Sequence, residues 1–202
     1  MVIDDAPSDA PPTEALITGH FRSSIDAKIN HAELLQLPLA EAANLITESL
    51  LHEGKLLIAT DAMSSPLADL MCRGMQHGRE MARPGLPSLV LPAEAWGTYS
   101  SDETAQRALQ TFCHETDALL TISCGSLTTS LATTVATAQT YGIGVVTLTS
   151  GTAQPTRSPP YPPEVELHIE SDDQYRVQEL QLFVLFCLSD LIEKTLFGGV
   201  TQ

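Results

Sequence analysis

The sequence predicts a doubly wound α/β domain on a five-stranded parallel sheet, with helices before the sheet and one long helix after it. Three observations point there. Short apolar runs recur at residues 56–59, 88–91, 118–123, 144–149 and 164–169, giving five strands. Helical stretches at 64–81, 102–115 and 128–141 lie between them and supply the crossovers that parallel strands require. Residues 173–197 then read as a helix of roughly seven turns, at about 3.6 residues per turn.

Taken in order, the chain opens on a proline-rich segment carrying Asp4, Asp5 and Asp9 and almost no large apolar residue. Such a segment buries too little surface to offset its ordering entropy, so residues 1–17 are expected to form a flexible acidic tail and residues 18–202 the domain. Two helices follow, over 21–35 and 39–53, the second with Leu39, Ala42, Ala43, Ile46 and Leu50 on one face and a stop at Gly54. Ligands of doubly wound sheets sit beyond the carboxyl ends of the strands, which makes 60–65, 92–101, 123–129 and 150–163 the informative loops. The last of these holds Pro155, Pro159, Pro160, Pro162 and Pro163 and reads as a stiff surface strap rather than a lid. The middle of the final helix, Leu182 to Leu188, is apolar all round. A helix greasy on every face needs cover on every face, from other copies of the chain or, in the alternative, from the rest of the domain.

Charge and cysteine usage exclude several classes of function. With 25 acidic and 10 basic residues the formal net charge is -15, which repels a phosphate backbone and leaves no basic stripe for nucleic acid. The acidity fits a well-hydrated surface as readily as one made for a basic partner. The first residues lack the basic and apolar pattern of a signal peptide, and the longest apolar run is too short to cross a bilayer, so a cytoplasmic protein with no membrane partner is expected. Cys72, Cys113, Cys124 and Cys187 show no CxxC spacing, which argues against a disulfide framework and a structural zinc site.

Two hydroxyl-rich turns carry the chemistry. The turn from Thr60 to Ser65 follows the first strand and opens a helix, and the turn from Ser123 to Thr129 does the same after the third. Free N–H groups and hydroxyls at such positions hold phosphate, although serine and threonine are also ordinary helix caps. Aldose–ketose isomerisation needs a general base, and neither turn offers one. Asp61 reads as a cap, His77 and His114 fall on helices away from the strand ends, and Cys124 has no positioned histidine beside it. No catalytic residue is assigned.

The chain from Gly54 to Lys194 resembles the sugar isomerase (SIS) domain family, in the branch holding phosphoheptose isomerase and the DnaA initiator-associating protein. The resemblance rests on Asp117-Ala-Leu-Leu-Thr-Ile-Ser123, on Gly142-Ile-Gly-Val-Val-Thr-Leu-Thr149, on Arg176-Val-Gln-Glu179 and on Cys187-Leu-Ser-Asp-Leu-Ile-Glu-Lys-Thr-Leu-Phe197. The last run is most similar to the initiator-associating protein. The resemblance implies the flavodoxin-like fold of that family and a residual sugar-phosphate pocket at Ser64, Ser123, Ser126, Thr128 and Gln178.

It also implies losses. The family's catalytic glutamate falls at Gly74, its metal-associated histidine at Leu70 and the histidine of its last helix at Phe186, while Gln178 is retained. On that alignment the chain has a degenerate site with no metal and no cofactor, and is not an enzyme. It is then expected to form a homotetramer that binds the replication initiator DnaA through Leu196 and Phe197 and promotes its assembly at the origin. The alternatives are a phosphosugar isomerase of the sedoheptulose 7-phosphate type and a sugar-phosphate-binding regulatory module.

Overall fold

A computed structural model describes residues 12–78, 82–92, 101–152 and 164–198. Its elements are α1 (Thr13–Leu51), β1 (Leu56–Thr60), α2 (Ser65–His77), β2 (Ser88–Val90), α3 (Ser101–Phe112), β3 (Ala118–Ile122), α4 (Thr129–Thr140), β4 (Gly144–Ser150), β5 (Glu164–Ile169) and α5 (Gln174–Phe197). The strands form one sheet in the order β2-β1-β3-β4-β5, and every neighbouring pair is parallel. The expected fold class is therefore the observed one, long C-terminal helix included.

The central strands are apolar along their whole length because both sheet faces are covered. One side chain set of β1, β3, β4 and β5, including Ile58, Leu120, Val146 and Leu167, packs with α1, α2 and α5. The opposite set, including Leu57, Leu119 and Val145, packs with α3 and α4 through Leu109, Leu131 and Val135. At the amino end of the sheet, Asp117 ties the starts of β1 and β3 together. Its carboxylate accepts the Lys55 amide N–H at 2.9 Å and the His114 amide N–H at 2.8 Å, and pairs with Lys55 Nζ at 2.6 Å.

The helices before the sheet differ from expectation. In place of two there is one helix, α1, running through Pro38. A proline inside a helix removes one backbone bond and costs about 3 kcal/mol or more. Continuity is maintained because Leu35, Ala42, Ala43 and Ile46, which flank the proline, are all buried in the core shared with α5 and β5. The helix also takes in residues 13–17, which composition had assigned to the tail; residues 1–11 lie outside the described residues. The proline-rich segment falls almost wholly outside them as well, at 153–163.

α5 resolves the question of cover in part. Val177, Leu180, Val184, Leu185, Leu188 and Ile192 are buried within this chain, so most of the apolar circumference is covered intramolecularly. Phe183 and Phe186 remain 47% and 39% exposed. Among the described residues no helix is long and apolar enough to cross a membrane.

Candidate functional site

β1 and β3 are adjacent in the sheet and in register, Thr60 opposite Ile122, so the turns that follow them emerge side by side at the carboxyl end. Asp61 joins the two. Its Oδ1 accepts the Ser64 amide N–H at 2.8 Å, while Oδ2 accepts the Cys124 amide N–H at 2.7 Å and the Ser123 hydroxyl at 2.9 Å. A carboxylate holding three donors is a fixed positioning group, not a free base. The Ser123 hydroxyl also lies 2.9 Å from the Ser126 carbonyl, and the Gly125 carbonyl accepts the Ser150 amide N–H at 3.0 Å, which hooks the turn onto β4.

α5 closes the site from below. Gln178 hydrogen-bonds the Cys124 thiol, and one turn on, the fully buried Gln181 donates from Nε2 to the Ser123 carbonyl at 2.8 Å. Its Oε1 has no partner. Burial raises the Cys124 thiol above its usual range, the Asp61 carboxylate raises it further, and only the Gln178 hydrogen bond opposes them. The thiol is thus held protonated at neutral pH and is a poor nucleophile.

The five pocket residues read from the sequence do not all stand alike. Ser123 and Gln178 meet around Cys124. Ser126 is exposed on the same turn. Thr128 is the N-cap of α4, its Oγ1 accepting the Leu131 amide N–H at 3.3 Å. Ser64 precedes α2 but makes no side-chain cap bond; it is fully buried and its Oγ has no partner. Sequence reasoning missed Gln181 and the bridging role of Asp61. The spacing of Gln178 and Gln181, three apart and so on one helix face, is a signal that could have found the first. A pairing between residues 62 apart left no local signal for the second.

Leu70 and Gly74 share one face of α2, and the structure brings Phe186 of α5 beside them. They line one cleft of about 250 Å³ between α2 and α5, with Leu67, Met71 and Leu185. Arg73 and His77 are the titratable side chains of that lining. Leu70 and Phe186 offer no donor atom at the positions where the resemblance expects histidines, so the cleft as lined does not fit a zinc ion. No group of three His, Cys, Asp or Glu among the described residues is placed to hold a metal.

The terminal pair expected to bind a partner is engaged within the domain. Leu196 packs against the main core. Phe197 lies under the guanidinium of Arg83, whose Cζ is 5.5 Å from the ring centroid. Arg83 is itself buried, donating to the Met75 carbonyl at 2.8 Å and the Gly74 carbonyl at 3.2 Å, with its Nε 3.1 Å from Glu193 Oε2.

No family model matches the chain. Phosphoheptose isomerases of several bacteria do, along nearly its whole length. It is 30% identical over 189 residues to the phosphoheptose isomerase of Alkalilimnicola ehrlichii, covering 91% of this chain and 96% of that one. It is 30% identical over 188 residues to the phosphoheptose isomerase of Halorhodospira halophila, covering 89% and 93%. Among solved structures, a phosphoheptose isomerase from Francisella tularensis superposes with a TM-score of 0.82 at 26% identity, over 91% of this chain and 100% of that one. These likenesses overturn two expectations, that the chain is not an enzyme and that it is a non-catalytic assembly factor for DnaA. In the terminal motif that prompted the second, Leu196 packs against the core, while Phe197 is 38% exposed with Arg83 over its ring.

Proposed function

The chain belongs to the phosphoheptose isomerase family, and we propose that it is a phosphosugar isomerase whose substrate is a seven-carbon sugar phosphate of the sedoheptulose 7-phosphate type. The observation that carries this reading is the Asp61 bridge. It sets the turn before α2 beside the turn before α4 at the carboxyl end of a doubly wound sheet, where such folds take phosphorylated ligands.

In this proposal the phosphate lies against the amide groups opening α4, with the exposed Ser126 hydroxyl and the cap at Thr128 beside it. Ser123 and Gln178 fix the turn. The unpartnered Ser64 hydroxyl is the donor kept for a ligand oxygen. Interconverting a ketose and an aldose moves one proton between adjacent carbons and a second between their oxygens. His77 is assigned to proton transfer, because Arg73 stays protonated and no other titratable side chain lines the cleft where Leu70, Gly74 and Phe186 meet.

That assignment carries a geometric consequence. Gly74 lies ten residues beyond Ser64 along α2, a rise of about 15 Å, and His77 lies farther still. The two halves of one site therefore come from different copies of the chain in a homo-oligomer, for which the homotetramer of the resemblance is the proposed form. The exposed Phe183 and Phe186 on α5 supply apolar surface for the contact.

Proton NMR of sedoheptulose 7-phosphate incubated with the protein tests this. Aldose signals should grow, and His77→Asn should cut turnover at least tenfold while leaving phosphosugar-dependent thermal stabilisation in place. Stabilisation without any turnover by the unaltered protein would overturn the isomerase reading, and absence of both would overturn the site.

A further inference from the structure

β5 is an edge strand, and α1 and α5 pack on the face that carries Leu167 and Ile169. Glu164, Glu166 and His168 alternate with those two and share the other face. A chain of polar contacts runs from them to the carboxyl end of the sheet. The buried Thr149 of β4 has its hydroxyl 3.1 Å from Glu166 Oε1 and 2.9 Å from His168 Nδ1, and His168 Nε2 lies 3.0 Å from the Gly151 carbonyl oxygen.

Counting donors places the protons. A carbonyl only accepts, so Nε2 donates to Gly151. An ionised carboxylate also only accepts, so the one hydroxyl hydrogen of Thr149 goes to Glu166, and Nδ1 then donates to the Thr149 oxygen. All three bonds are made together only when the ring holds a proton on each nitrogen. A neutral ring forfeits one of them, whichever tautomer it takes. The charged ring faces the Glu166 carboxylate across a single hydroxyl, so the complete network carries no net charge.

The other titratable groups around the strand are already engaged. Glu164 accepts from Gln139 Nε2 of α4 at 2.8 Å, and β4 brings no titratable side chain. On the opposite face α1 sets His31 against the Glu170 amide, whose N–H it accepts at 3.0 Å. Asp173 caps α5.

The group held by the ring belongs to the ligand end of the sheet. Gly151 has a φ of +141°, donates its N–H to the Ile169 carbonyl at 3.1 Å, and follows Ser150, whose N–H is bonded to the Gly125 carbonyl of the Ser123–Thr129 turn. Gly151 is thus fixed to β5 through both its N–H and its carbonyl, one peptide away from the turn read above as the phosphate site.

We propose that His168 is a positioning residue for that turn and acts as an imidazolium, holding Gly151 through a charge-assisted hydrogen bond. Such bonds are roughly twice as strong as neutral ones. Loss of the second ring proton leaves Gly151 a neutral bond or none, so phosphosugar binding weakens as the pH rises. The effect on the ligand rests on the phosphosugar reading above, whereas the two ring protons do not.

Nitrogen-15 NMR of the histidine rings in the full chain reads the protons directly, with His168 assigned by the signals missing from His168→Gln. Melting curves with and without sedoheptulose 7-phosphate at about pH 6 and about pH 8, across the range where histidine changes charge, follow the ligand. Both ring nitrogens should be protonated at the lower pH. The apparent affinity, relative to that of His168→Gln, should fall at least about threefold between the two. Glu166→Gln, whose amide can donate to Thr149 and so lets the ring turn neutral, should flatten the profile in the same way; circular dichroism checks that both variants fold. A single ring proton at the lower pH overturns the proposal, as does an equal pH response in the protein and both variants. A doubly protonated ring with no sugar effect at either pH overturns the phosphosugar reading and the positioning role with it, whereas a sugar effect with a singly protonated ring overturns the role of the ring alone.

Discussion

Asp61 and Ser123, 62 residues apart in sequence, share a 2.9 Å hydrogen bond across the gap between two turns. The same Asp61 oxygen accepts the Cys124 amide N–H. Replacing Asp61 by asparagine sets an amide N–H against donors on one side or the other. Asp61→Asn is expected to cost about 1–3 kcal/mol of stability, the range for a buried donor left unsatisfied. It should also abolish thermal stabilisation by sedoheptulose 7-phosphate, because the turns lose their common anchor. Urea denaturation and melting curves with and without the sugar check both parts.

Glu179 makes a pH prediction. Hydrogen bonds from Lys28 and then from Ser24 hold its carboxyl down at about 2 against an opposing cost of burial, with the Lys28 and Arg176 charges adding to the lowering. A carboxyl lowered on folding stabilises the protein fully above its unfolded value of 4.5, and that contribution fades as the pH falls through about 2. The stability gap between the protein and Glu179→Gln should therefore be open at neutral pH and closed at the acid end of that window. Because the pair with Lys28 is one-third exposed, salt should narrow the gap too. Urea midpoints of both proteins across the window are the measurement.

Two glycines should respond in opposite directions to the same change. A methyl group at Gly54 would meet the Thr116 carbonyl oxygen at 2.1 Å and Ser49 Oγ at 2.7 Å. The first of these is backbone, so Gly54→Ala is expected to destabilise by about 3 kcal/mol. At Gly19, an exposed position on α1, nothing lies within 4 Å. Gly19→Ala should stabilise by about 1 kcal/mol through helix propensity. Equilibrium denaturation of the pair provides the comparison.

The homo-oligomer makes a separate prediction. Phe183→Asp/Phe186→Asp places charge on the exposed face of α5, where burial against another copy becomes costly. Light scattering should show the mass falling to that of one chain, with isomerase turnover lost at the same time. An unchanged mass would place the contact elsewhere.

Much of the fold was legible because strands such as β1 and β3 are unbroken apolar runs, and covered parallel strands must be. Helix breaks were less legible. Pro38 signals an interruption locally, and only the tertiary burial of Leu35, Ala42 and Ile46 explains why α1 continues through it. In the site, Ser123 and Gln178 were readable from turn position and family pattern. Asp61 read as a local cap, and that reading was half right: one oxygen serves its own turn, the other a turn that sequence distance conceals. Leu196 and Phe197 looked like a free anchor because nothing in the sequence shows that Arg83, more than a hundred residues earlier, lies over the ring.

The bond from Gln181 to the Ser123 carbonyl bears on when the site comes into being during synthesis. Every strand of the sheet precedes residue 181 in the chain, yet the β3 turn has its full set of partners only after α5 has been made and has docked. A growing chain can thus hold a sheet before it holds a finished ligand site. Loss of α5 would return the turn to that unfinished state, whatever became of the strands beneath it.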